Sequence, residues 1–128
     1  MKEISVVIPV YNSENILHEL NFQIHENLKA HNYELILVND CSKDNSWNVI
    51  KEISRKFKNT NGINLRINCG QDNAIMAGLN YCSGEYIVIM DDDLQHSPND
   101  ICSLIEECKK GYDVCYANFE KKNQKNWK

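Results

Sequence analysis

Three consecutive carboxylates, Asp91-Asp92-Asp93, follow directly on an apolar run, Tyr86-Ile87-Val88-Ile89-Met90. β-Branched residues dominate that run and nothing polar interrupts it, the pattern of a buried strand. A strand that ends in clustered acids places them at the carboxyl edge of a sheet, where open α/β folds bind ligands. Two unit charges about 4 Å apart repel by roughly 1 kcal/mol in water and roughly 4 kcal/mol at an effective dielectric near 20. Such a cluster calls for a counter-charge, and a hard divalent cation is a common one. The plain alternative is an acidic surface turn.

Three further strand-to-helix loops carry residues suited to ligand work. In Pro9-Val10-Tyr11-Asn12-Ser13-Glu14, proline fixes the backbone as a strand ends and Tyr11 offers a ring for stacking. Glu14 can accept from a ribose hydroxyl or cap its helix, and an ordinary turn has the same look. In Asn39-Asp40-Cys41-Ser42-Lys43-Asp44, Asp40 can accept a ring N–H of uracil or guanine, or close the turn on its own backbone. In Asn68-Cys69-Gly70-Gln71-Asp72-Asn73, Gly70 permits close backbone approach, and the helix that follows presents amides to an anion. This is neither a Walker loop nor a dinucleotide fingerprint, and the absence of Gly-x-Gly-x-x-Gly counts against a nicotinamide enzyme. His96 sits in the acidic loop and can face a ligand. His18, His25 and His31 fall on or after the first helix, where solvated surface is the default.

The elements that must position these loops alternate from end to end. Ile4 to Val10 reads as a first strand. Asn12 or Ser13 can cap a helix with Leu17, Leu20, Ile24 and Leu28 on one face. Tyr33 to Asn39 is a second strand, and Asp44 or Ser46 opens a second helix with Val49, Ile50, Ile53 and Phe57 inward. Asn59-Thr60-Asn61-Gly62 reads as a turn, followed by a third strand over Ile63 to Ile67. A third helix spans about Asp72 to Cys82 and ends before Gly84. After the acids, Ser97-Pro98-Asn99-Asp100 matches a helix start. Ile101, Leu104, Ile105 and Cys108 form the inward face of that helix, and Gly111 terminates it. Asp113 to Ala117 is a fifth strand. The order implies an α/β fold over residues 1–118: a mostly parallel sheet with helices on both faces. Residues 119–128 are a basic tail, with Lys121, Lys122, Lys125 and Lys128 around one Trp, and the chain is expected to stop there without a closing element, as a piece of a longer protein. The tail reads either as a frayed, solvated end or as the lead into a membrane-surface helix.

Composition narrows the classes. A chain of 128 residues suits one domain with a real core. The net charge of −4 and the lack of a basic stripe argue against nucleic acid as a partner. No apolar run is long enough to span a bilayer, and Met1-Lys2-Glu3 leads straight into a strand rather than a signal peptide. The six cysteines show no two-residue spacing, so neither a zinc knuckle nor a redox dithiol is indicated, and they read as reduced thiols in a cytoplasmic compartment.

At this point the motifs resemble a known family. Ser-Val-Val-Ile-Pro-Val-Tyr-Asn-Ser-Glu is similar to the opening of family-2 glycosyltransferases of the GT-A type. Asn39-Asp40-Cys41-Ser42-Lys43-Asp44-Asn45-Ser46 is similar to their second-strand motif. Asn68-x-Gly70-Gln71-x-x-Ala74-Ile75-Met76-Ala77-Gly78 is similar to their third loop and helix. Asp91-Asp92-Asp93-Leu94-Gln95-His96-Ser97-Pro98 resembles the DXD metal motif of the polyprenyl-phosphate branch, which includes dolichol-phosphate mannose synthases and undecaprenyl-phosphate sugar transferases. The resemblance covers nearly the whole chain and the donor-binding half of the family's domain, and it implies that residues 1–118 are the Rossmann-like, nucleotide-sugar-binding part of a GT-A domain. It implies that Pro9, Tyr11 and Glu14 frame the nucleotide and that Asp40 reads the base. It places Gly70 and Gln71 near the diphosphate or base, and Asp91 and Asp92 on the nucleotide sugar. Asp91 and Asp93 would hold Mg²⁺ or Mn²⁺, with Gln95 completing that loop. The position of Asp92 varies in the family between small and acidic residues.

The implied activity is inverting transfer of a sugar from a UDP- or GDP-linked donor to a polyprenyl phosphate or a glycan, in cell-envelope or glycan biosynthesis. A divalent ion on the diphosphate stabilises the charge that develops as it departs. The implied setting is the cytoplasm, with the intact protein able to sit at the cytoplasmic face of a membrane. Acceptor and base residues are expected beyond Lys128, so no catalytic residue is assigned and the fragment alone is expected to be inactive. Two enzymatic or signalling rivals fail on placement. A receiver domain needs its acidic pair after the first strand, and a haloacid-dehalogenase phosphatase needs its Asp-x-Asp there, but that strand ends in Pro-Val-Tyr-Asn. A non-catalytic nucleotide-sugar-binding half-domain stays open.

Overall fold

The computed structural model describes residues 2–93, 99–111, 114–118 and 126–127. Two long strands form the centre. β1 (Ile4–Val10) and β2 (Tyr33–Asn39) are buried at every position, as β-branched residues with apolar neighbours on both faces require. β1 runs parallel to β2 over its whole length and parallel to β4 (Tyr86–Ile89) on its other side. β3 (Thr60–Asn64) extends the sheet beyond β2, and β5 (Val114–Asn118) extends it beyond β4, both parallel. A two-residue strand, β6 (Asn126–Trp127), closes that edge antiparallel to β5.

The period-2 alternation of the strands sorts the core into two layers. Ile4, Val6, Ile8 and Val10 of β1 and Leu35 and Leu37 of β2 face one side. They meet Leu17, Leu20, Ile24 and Leu28 of α1 (Leu17–Leu28), Ile50 and Ile53 of α2 (Ser46–Lys56), and Ile101 and Ile105 of α4 (Asn99–Cys108). Val7, Ile36, Val38 and Ile89 point the other way and pack on Ala74 and Ile75 of α3 (Gln71–Leu79). α3 lies very close to the sheet, because a Cβ at Gly78 would sit 2.6 Å from Val7 Cγ1 and 3.0 Å from Val38 Cγ2. The strand order β3-β2-β1-β4-β5-β6 has its switch between β1 and β4, since the connections from β1 and toward β4 leave in opposite directions. A crevice opens at the carboxyl ends of the strands at such a point.

Several boundaries differ from the sequence expectation. The third strand is Thr60–Asn64 and not Ile63 to Ile67. The polar run Thr60-Asn61-Gly62 has turn chemistry, yet it pairs with Leu35, Ile36 and Leu37 of β2. Gly62 is needed there because a Cβ would stand 2.5 Å from Ile50 Cγ2 and 3.0 Å from the Trp47 ring. α1 begins at Leu17 behind Ile16, with no side-chain cap, so Asn12 and Ser13 are not its caps. α3 ends at Leu79, three residues before Cys82. In the tail, Asn126 and Trp127 pair with Asn118 and Ala117, which a frayed end would not do. The helix start at Ser97-Pro98 and the side chains of Leu104 and Cys108 lie outside the described residues. Among the described residues no helix is long and apolar enough to cross a membrane.

Candidate functional site

A cleft of about 350 Å³ lies over the switch between β1 and β4. Each strand end delivers part of its wall: Pro9, Val10 and Tyr11 from β1, Asp40 from β2, and Asp91, Asp92 and Asp93 from β4. Asn68, Gly70 and Gln71 close it from the segment that leads into α3. Four loops far apart in sequence therefore meet because their strands are parallel and adjacent. Pro9 is buried within β1, whereas Tyr11 is 42% exposed where it lines the cleft.

The backbone at these strand ends is held in uncommon conformations. Asn12 and Cys41 both adopt left-handed φ values, 53° and 56°, the kind of departure that clusters at ligand-binding turns. Cross-loop hydrogen bonds hold them there. The Asn12 backbone N–H donates to Ser42 Oγ at 3.0 Å, and the Lys43 N–H donates to Asn12 Oδ1 at 2.8 Å. The Ser13 N–H donates to Ser46 Oγ at 2.9 Å, and the Glu14 N–H donates to Asp44 Oδ2 at 3.2 Å. Burial opposes the Asp44 charge, but the Ser46 hydroxyl and the N–H groups of Ser46, Glu14 and Asp44 itself outweigh it and hold its carboxyl below the usual range.

Asp40 is only 4% exposed, and its Oδ1 accepts the Cys69 N–H at 2.8 Å. One carboxylate thus ties the β2 end to the segment before α3 while lining the cleft. Gly70, at φ 87°, then turns the chain into α3 with its N–H on Asn68 Oδ1 at 3.1 Å.

Asp91 and Asp92 point to different partners. Asp91 Oδ1 accepts from Gln71 Nε2 at 2.9 Å, which fixes that carboxylate against the start of α3. Asp92 Oδ2 accepts the Tyr11 N–H at 3.2 Å and also the Ser13 hydroxyl. Burial raises the Asp92 carboxyl above the usual range, against the lowering effect of the hydrogen bonds from Ser13, Tyr11 and its own backbone; the charge of Asp93 adds to the rise. Asp93 is exposed on the cleft wall. Among the described residues no three His, Cys, Asp or Glu side chains gather into a closed metal cage. Asp91 and Asp93 both line the open cleft and offer only carboxylate oxygens to it. That donor set suits Mg²⁺ or Mn²⁺, which take one or two carboxylates and complete their shells with water and substrate phosphates.

Of the residues singled out in the sequence, Pro9, Tyr11, Asp40, Gly70, Gln71, Asp91, Asp92 and Asp93 share this cleft. Glu14 is not among its lining residues; its backbone N–H joins Asp44. Gln95 and His96 lie outside the described residues. Ser13 and Ser42 belong to the site's framework, a role that only the cross-loop contacts reveal. Of the other histidines, His18 and His31 pair with Glu52 and Glu3 at 3.2 Å each. His25 is half-buried, with Nδ1 2.8 Å from the Tyr33 hydroxyl and its ring edge-on to Phe57. Cys41, Cys69, Cys82 and Cys102 carry free thiols.

Comparison with known proteins identifies the family and the fold. The profile of glycosyl transferase family 2 matches residues 5–128. An undecaprenyl-phosphate 4-deoxy-4-formamido-L-arabinose transferase of Shewanella sediminis is 41% identical over 114 residues, covering 86% of this chain and 34% of the relative. A dolichol-phosphate mannosyltransferase of Pyrococcus furiosus is 37% identical over 127 residues, covering 98% of this chain and 36% of the relative. The chain thus spans about a third of the length of these curated relatives. The mannosyltransferase PcManGT of Pyrobaculum calidifontis, solved with GDP-Man and Mn²⁺, superposes with a TM-score of 0.70 at 20% identity over 80% of this chain and 30% of that one, which establishes a shared GT-A fold.

Proposed function

This chain belongs to glycosyl transferase family 2, and from that premise we propose that it forms the donor-binding half of an inverting transferase acting from a UDP- or GDP-linked sugar onto a polyprenyl phosphate. The observation that carries the reading is the shared cleft, lined by Tyr11 and Asp40 together with Asp91 and Asp93. In it the base stacks on the Tyr11 ring and offers a ring N–H to the Asp40 carboxylate. Asp40 is pre-oriented for this by the Cys69 N–H, so little freedom is lost on binding. The diphosphate lies toward Asp91 and Asp93. Alone, two carboxylates repel a diphosphate, so both would hold Mg²⁺ or Mn²⁺, which as a Lewis acid stabilises negative charge on the departing nucleoside diphosphate. Gln71 keeps Asp91 turned to that task, as outer hydrogen bonds commonly do for metal ligands.

The lipid acceptor is supported by the two curated relatives, whose names specify undecaprenyl phosphate and dolichol phosphate. A phosphate acceptor is already anionic and needs little general-base help. The reaction belongs at the cytoplasmic face of a membrane, where lipid phosphate and nucleotide sugar meet. The test uses the full-length protein, a radiolabelled UDP- or GDP-sugar, and polyprenyl phosphate in detergent. Label that partitions into organic solvent in a metal-dependent way is the expected result. Transfer only to a soluble glycan would overturn the lipid acceptor, and no transfer from any sugar nucleotide would overturn the activity.

A further inference from the structure

We infer that Asp92 is a positioning residue that transmits cation binding at Asp91 and Asp93 to the nucleoside pocket, so that the cation strengthens binding of the base even when no phosphate is present. The inference rests on the donor-site reading and deepens it. Asp92 stands between the two carboxylates assigned to the cation, yet its own Oδ2 is engaged with the opposite loop, through the Tyr11 N–H at 3.2 Å and the Ser13 hydroxyl. Tyr11 is the residue whose ring borders the cleft, and Ser13 continues into the framework through its N–H on Ser46 Oγ at 2.9 Å. Asp92 is bonded through the backbone to both neighbours. A ligand that fixes Asp91 and Asp93 therefore restrains Asp92 and, through its hydrogen bond, the Tyr11 backbone at the cleft. Gln71 on Asp91 Oδ1, at 2.9 Å, anchors the same segment from the far wall. The acids therefore divide their work: the outer two face the ligand and the middle one ties the walls together. Linkage makes the effect reciprocal, so a bound nucleoside must tighten the cation by the same factor.

The direct bridge between cation and diphosphate would mask this coupling, and a nucleoside removes the mask. Uridine and guanosine are titrated into this chain by NMR with and without saturating Mg²⁺, alongside UDP and GDP by calorimetry. In the wild-type chain Mg²⁺ is expected to tighten the favoured nucleoside at least threefold. Asp92→Ala and Ser13→Ala are expected to bring that ratio to about one. Asp92→Asn keeps an acceptor oxygen for Tyr11 and Ser13 and is expected to retain most of it, whereas a general loss of fold would lower affinity with and without cation alike. Metal-dependent UDP or GDP binding together with nucleoside binding indifferent to Mg²⁺ overturns the coupling and leaves the donor site standing. An unchanged ratio in Asp92→Ala also overturns it. Failure of the wild-type chain to bind UDP or GDP with Mg²⁺ or Mn²⁺ overturns the donor site itself.

Discussion

Replacing Asp40 separates its structural tie from its proposed contact with the base. The residue is almost fully buried, accepts the Cys69 N–H at 2.8 Å, and lines the cleft. Asp40→Ala removes the acceptor from the Cys69 N–H. A hydrogen bond to a charged group contributes about 1.5–3 kcal/mol, and Cys69 is partly exposed, so water can repair some of the loss and the lower end applies. About 1.5 kcal/mol in a chain of this size lowers the melting temperature by roughly 4–8 °C. Asp40→Asn keeps Oδ1 for Cys69 and exchanges the other oxygen for an NH₂ group. Its stability should fall by less than about 1 kcal/mol, because a neutral acceptor still serves. On the proposed reading, however, the base then meets a donor where it needs an acceptor. Losing that charged contact costs about 1.5–3 kcal/mol, roughly a 10- to 100-fold weaker Kd. Thermal melts and calorimetric titration with UDP and GDP read the two effects apart. Asp40→Asn binding as tightly as wild type would refute base recognition, and Asp40→Ala melting with wild type would refute the structural tie.

Other consequences concern the framework. Glu34 is buried, and its Oε2 accepts from Ser5 Oγ at 2.6 Å, the Ser83 N–H at 2.7 Å and Ser83 Oγ at 3.0 Å. Glu34→Ala leaves these donors unserved and should cost about 2–4 kcal/mol, while Glu34→Gln should cost less than half of that in urea unfolding. Gly78→Ala gains about 1 kcal/mol of helix propensity but drives a methyl group into Val7 and Val38; overpacking costs about 1–3 kcal/mol, so the melting temperature should drop by a few degrees. Burial first, and the Glu34 charge second, push the Cys82 thiol up to about 11 against a lowering bond from Ser5. Timed alkylation at pH 8 followed by mass spectrometry should therefore label exposed Cys102 well before Cys82.

How legible all this was depended on whether a residue acts locally. Ile4–Val10 and Tyr33–Asn39 announce themselves because every position is apolar or flanked by apolar residues, and their loops carry the motifs at the strand ends. The cleft followed, since parallel neighbours place those ends side by side. Thr60-Asn61-Gly62 misled because the same residue types serve turns and close approaches. Only the position of Trp47 and Ile50 decides that Gly62 belongs in an edge strand. Asn12 and Ser13 look like helix caps, but loops distant in sequence claim their polar groups. Asp92 shows the limit most plainly: its partners lie 79 and 81 residues away, and nothing in a run of three aspartates distinguishes the middle one.

The central claim is that Asp91 and Asp93 hold a cation for a nucleoside diphosphate in this cleft. Calorimetric titration of UDP and GDP into the chain with Mn²⁺, and again after chelation with EDTA, tests it most directly when run beside Asp93→Ala. The account predicts saturable binding of one nucleotide with Mn²⁺, weakened at least tenfold by EDTA and by Asp93→Ala alike. Binding that survives both unchanged would contradict it.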